Sequence, residues 1–213
     1  MTHLNQQDFY AWAYGDLFTN TTRGVLAEYI VATALGLHET KRVAWNQYDL
    51  EIDGAGIDDV EIDGAGIDRV GNNRVGVDRV GNNRAGKPER IGIEVKSAAY
   101  VQAWKQDRPS EITFSIRRAQ GWDAPNNTYA DSARRSAKVY VFCVLEGKDK
   151  DSVDPLDVSH WTFYVVPTAV LEREVPTRKT IRLEPLKQLA GSPCTYDELK
   201  AAIREAAAGN PRS

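Results

Sequence analysis

Two cysteines and three histidines among 213 residues leave little room for the chemistry those side chains support. A disulfide scaffold is excluded. Cys143 lies inside the apolar run at 139–145, where a small buried thiol packs as a hydrophobe, so a reducing, cytoplasmic setting is expected. His3, His38 and His160 show no ligand spacing, and neither a G-x-S-x-G elbow nor a Walker loop is present. No apolar stretch approaches the roughly 18 residues of a bilayer span, and no basic-then-apolar leader opens the chain, so no membrane association is expected. Charge of one sign is lacking too. With 27 Lys plus Arg against 30 Asp plus Glu, the formal net charge is −3, and any nucleic-acid contact must come from local patches. What is plentiful is apolar: 42% hydrophobic residues suffice for the core of one domain and exclude a disordered or collagen-like chain.

Internal repetition is also present. Residues 51–60 read EIDGAGIDDV and residues 61–70 read EIDGAGIDRV; residues 71–80 and 81–90 form a looser pair, with a period of ten. These 40 positions hold 8 of the 16 glycines and no aromatic residue, so they cannot build a core. Glycine, asparagine and aspartate there favour turns. Two units fit G-x-G-x-D, the signature of a calcium β-roll, but that architecture needs a nine-residue period and several stacked turns. An expanded hairpin loop is the better reading, because residues 48–54 and 91–96 look like two arms of one hairpin. The tract carries 9 acids and 6 bases, which leaves 21 of each elsewhere, so the whole −3 belongs to it.

The remaining pattern predicts one α/β (α+β) domain over 1–208, interrupted at about 51–90, with a frayed tail at 209–213. A helix is predicted over 5–14, anchored by Phe9 and Trp12. A second is capped by Thr21 or Thr22, apolar from Val25 to Leu35 and stopped by Gly36. Strands are expected at 43–50, 91–101, 112–116, 161–166 and, at an edge, 180–183. The apolar run at 138–145 predicts a central strand buried on both faces. A short helix is expected over 168–174. The capping-box pattern Thr195-x-x-Glu198 opens a last helix with Leu199, Ile203 and Ala207 on one face.

Chemistry-bearing residues fall in order along these elements. Between Arg23 and His38 the only charged side chain is Glu28, on a helix apolar on nearly all sides, so its carboxylate needs a neutralising partner. In a strand, residues i and i+2 share a face, so Glu94 and Lys96 stand together while Ile93 and Val95 face the core. Asp49 precedes them in the other arm of the hairpin.

This ordered set, Glu28, Asp49 and Ile93-Glu94-Val95-Lys96, resembles the PD-(D/E)XK phosphodiesterase superfamily over about residues 23–116. The resemblance implies a restriction-endonuclease-like mixed β-sheet flanked by helices, here with an expanded Gly-rich hairpin loop. It also implies Mg²⁺-dependent hydrolysis of nucleic-acid phosphodiesters, DNA above all, of restriction or repair type, with Mn²⁺ as an alternative ion. Asp49, Glu94 and the Val95 backbone carbonyl would be metal ligands, Glu28 would bind through water, and Lys96 would orient the attacking water. Mg²⁺ should then stabilise the fold by relieving carboxylate repulsion. Tyr48 stands where the motif has Pro. The 45 positions from Asp49 to Glu94 fall to about 15 once three repeat units are set aside, an ordinary hairpin separation. Asp53, Asp58, Asp63, Asp68 and Asp78 compete with Asp49, but only Asp49 follows aromatic anchors, Trp45 and Tyr48.

Arg117, Arg118, Arg134 and Arg135 form basic pairs suited to phosphates. Tyr100, Gln102 and Trp104 would alternate on one face if the strand continued. The alternative function is an inactive fold of this type retained as a nucleic-acid-binding or protein-interaction module. A homodimer is compatible with either.

Overall fold

A computed structural model describes residues 3–39, 42, 47–54, 90–123, 128–129 and 131–209. The repeat units, apart from their first four and last residues, lie outside this set, as do 43–46 of the expected first strand and 210–213 of the tail.

The helices are α1 (Gln6–Tyr14), α2 (Asn20–Leu35), α3 (Thr168–Glu174), α4 (Leu183–Ala190) and α5 (Leu199–Ala207). The strands are β1 (Leu50–Asp53), β2 (Arg90–Ala99), β3 (Thr113–Ser115), β4 (Trp122–Asp123), β5 (Thr128–Tyr129), β6 (Val139–Leu145), β7 (Trp161–Pro167) and β8 (Thr180–Arg182). Four of them form a mixed sheet in the order β1-β2-β6-β7, antiparallel except for the parallel β2–β6 pair.

Pleat alternation divides the core into two layers. Val139, Val141, Cys143 and Leu145 of β6 face a layer made with Ile91, Ile93 and Val95 of β2, Ala27, Ile30 and Val31 of α2, and Leu199 and Ile203 of α5. Tyr140, Phe142 and Val144 face the other way, toward Phe114 of β3, Ile181 of β8, Leu171 of α3 and Leu186 of α4. Every residue of β6 is therefore buried, as its continuous apolar run requires. Each buried Val, Phe and Leu side chain of β6 stabilises the fold by about 1.5–3 kcal/mol. Among the described residues no helix is long and apolar enough to cross a membrane.

Several expectations need correction. α1 is capped by Asn5, whose side chain accepts from the Gln7 and Asp8 amides, but it buries no residue; Phe9 and Trp12 are exposed rather than anchoring. α2 starts at Asn20 because Thr19, not Thr21 or Thr22, accepts the Thr22 amide. Gly36 ends it at φ 77°, a left-handed cap. β1 begins at Leu50, so Asp49 immediately precedes it, and of the strand expected over 43–50 the described residues 47–49 are not extended. β2 stops at Ala99, which ends the alternation supposed for Tyr100, Gln102 and Trp104; Gln102 is buried and Trp104 exposed. The Thr195/Glu198 pattern lies just ahead of α5, which begins at Leu199, and there the Glu198 carboxylate accepts both the Thr195 amide (2.9 Å) and its hydroxyl (3.1 Å).

Candidate active site

Asp49 reaches the E-x-K strand through hairpin pairing. Leu50 pairs with Ile93, the Asp49 amide donates to the Ile93 carbonyl at 3.1 Å, and Asp49 Oδ2 accepts the Val95 amide at 2.8 Å. An amide that would extend the ladder is thus capped by a carboxylate where β1 has not yet begun. Amide and carbonyl of one strand residue point to the same edge, so the Val95 carbonyl faces this side too.

Gly92 makes room for the approach. A Cβ there would lie 2.5 Å from the Tyr48 ring, so that ring rests on bare β2 backbone and delivers the next residue, Asp49, to the strand. The Tyr48 hydroxyl is tied to the Glu51 carboxylate.

Glu94 and Lys96 lie on the face shared with Tyr140 and Phe142, their register partners on β6. They form an ion pair with side chains 21% and 28% exposed, at the margin of the second core layer. Burial pushes the Glu94 carboxyl above its ordinary value; Lys96 opposes this, and the charges of Asp49 and Glu28 reinforce it. Burial, then the Glu94 charge, also raises the Tyr140 hydroxyl.

The partner expected for Glu28 is Arg42. Its guanidinium holds Glu28 through both carboxylate oxygens, with Nη2 to Oε1 at 2.9 Å, and the Glu28 side chain is only 13% exposed. That bond raises the Arg42 pKa against the cost of burial, with Asp49 adding to it. Glu28, Asp49, Glu94, Lys96, Arg42 and Tyr140 therefore share one electrostatic neighbourhood. Arg42 and Tyr140 carry no motif that would have singled them out. Gly92, a lone glycine in an apolar strand, was such a signal.

Among the described residues no group of three or more His, Cys, Asp or Glu is gathered closely enough to hold a metal ion by itself. Of the competing acids, Asp53 is exposed at the far end of β1 opposite Arg90, while Asp58, Asp63, Asp68 and Asp78 lie outside the described residues.

The arginine pairs separate by burial. Arg135 is a structural residue and leaves the phosphate-binding set: its side chain is fully buried and donates to the carbonyls of Ile116 (3.0 Å), Val175 (3.2 Å) and Arg178 (3.2 Å) and to Glu172 (2.8 Å). Arg118 pairs with the same Glu172. Arg117 and Arg134 are exposed, on segments joined by the Ala119–Arg134 bridge.

Compared with protein-family models, curated proteins and solved structures, the chain matches none.

Proposed function

We propose that the chain is a divalent-metal-dependent nuclease of restriction-endonuclease-like fold that hydrolyses nucleic-acid phosphodiesters, DNA above all. The observation that carries this reading is the Asp49–Val95 bond, which holds an acid beside the Glu94/Lys96 strand across 46 positions of chain. The donor set fits Mg²⁺ on chemical grounds. This hard ion takes oxygen ligands, and one or two protein carboxylates suffice because waters and substrate phosphate complete the shell. Asp49 and Glu94 would hold it, with the Val95 carbonyl on the same side and Glu28 acting through water. When bound, the ion polarises the scissile phosphate and acidifies a water. The chain's own part is to concentrate negative charge where a cation is wanted and to hold the Lys96 ammonium beside Glu94. From there Lys96 orients the attacking water and offsets charge gathering on the phosphate.

Purified protein should cut plasmid and linear DNA with Mg²⁺ or Mn²⁺, and Lys96→Ala should lower the rate at least about 100-fold. Absence of cleavage by the wild type, or equal cleavage by the variant, overturns the reading. A binding-only module is favoured by one observation, that Arg42 and Lys96 already neutralise Glu28 and Glu94. Salt-dependent DNA binding without cleavage in either ion would select it.

A further inference from the structure

The first turn of α2 and the C-terminal end of β2 line an open pocket of about 380 Å³ that includes Ser97, the residue after Lys96. Arg23 lines it and is only 4% exposed. Its guanidinium donates to the Phe18 carbonyl (3.0 Å), to Gln102 Oε1 (3.2 Å) and to Asn20 Oδ1 (2.7 Å), all neutral acceptors, and its Nε has no partner. Among the described residues none of its bonds goes to a carboxylate, and burial alone lowers its pKa. An arginine does not discharge by losing its proton, so a buried one without a counter-ion is costly unless an anion joins it. The N-terminal end of a 16-residue helix adds partial positive charge at the same spot. Glu111 also lines the pocket, but its side chain is 79% exposed and lies 3.6 Å from Arg182.

Trp104, 58% exposed, forms part of this wall and of a second hollow of about 320 Å³ beside it. Lys105, Arg108, Lys148 and Lys150 line that hollow, against Asp107 and Asp149. A buried cation, an open aromatic face and a basic rim in sequence are the parts of a platform for single strands, where phosphates meet cations and bases stack on rings.

We propose that this pocket is a subsite for a single nucleic-acid strand, with a phosphate against Arg23 and a base on Trp104. The proposal rests on the nucleic-acid reading above and adds to it the form of the substrate.

Fluorescence anisotropy of a labelled 12-mer oligodeoxynucleotide and of its duplex, with the full chain in EDTA, tests binding apart from cleavage. The single strand should bind more tightly than the duplex, and Trp104→Ala and Arg23→Met should each weaken it about tenfold. Should Arg23→Met fail to fold, Trp104→Ala, an exposed position, decides alone. Unchanged affinity in Trp104→Ala, tighter binding of duplex, or no binding of either form overturns the proposal. Single-strand binding that depends on Trp104 without cleavage in Mg²⁺ would uphold the subsite while removing the nuclease reading. Cleavage with unaltered binding by Trp104→Ala would do the reverse.

Discussion

Burial, Asp49 and Glu28 all favour a proton on Glu94, whereas Lys96 favours the anion, and the first group prevails. A carboxyl whose folded pKa is raised binds its proton more tightly folded than unfolded. Its stabilising effect is full below the ordinary value near 4.5 and is lost as pH rises through the folded value. In urea unfolding, Glu94→Gln should therefore gain on the wild type as pH is taken from about 4 to 7. A gap that widens in the wild type's favour over that range would contradict the assignment. Arg135 illustrates the opposite case, a charge fully satisfied inside the protein. Arg135→Ala should cost roughly 3 kcal/mol, because three carbonyls lose this donor at once and Glu172 keeps only Arg118. Its exposed neighbour, Arg134→Ala, should change stability by no more than about 0.5 kcal/mol. Burial of this kind is invisible to a reading of adjacent arginines, which shows only that two cations are neighbours in sequence.

The β1–β2 hairpin decides whether the site exists. Gly92→Ala would drive a methyl into the Tyr48 ring and displace Asp49, so it should cost about 1–3 kcal/mol and, under the proposed nuclease function, reduce DNA cleavage further than lost stability explains. Gly24→Ala, in α2 with nothing within 4 Å of the added carbon, should gain about 0.5–1 kcal/mol from helix propensity. Chemical denaturation with parallel cleavage assays checks both. Elements whose pattern was self-sufficient were legible beforehand. β6 follows from its apolar run, α2 from its stop at Gly36, and the pairing of the two hairpin arms from their shared alternation. α4 carries no such signal in the sequence, where Pro185 reads as a breaker. It occupies the first helical turn, where the missing amide would have had no partner in any case. The exposure of Phe9 and Trp12 was equally hidden, since a helix's periodicity does not reveal whether another surface covers it.

For the molecule as a whole, the order of Glu28, Asp49, Glu94 and Lys96 was readable from the chain, whereas Arg42 as the counter-ion of Glu28 depends on tertiary placement. The repeats contribute no aromatic side chain to either core layer, so replacing residues 55–89 with a five-residue Gly/Asn turn should leave a cooperative unfolding transition. Its midpoint should stay unchanged or rise, since a shorter connection costs less to close, by up to about 2 kcal/mol. A lowered midpoint would show that the tract supports the domain. Asp53 and Arg90 are register partners, so the polypeptide leaves the sheet and re-enters it at adjacent points. Each ten-residue unit is a whole number of codons, and copying errors between tandem units would keep the reading frame. Gain or loss of entire units between these two points is therefore expected to leave the sheet, both core layers and the spacing of Asp49 from Val95 in space as they are.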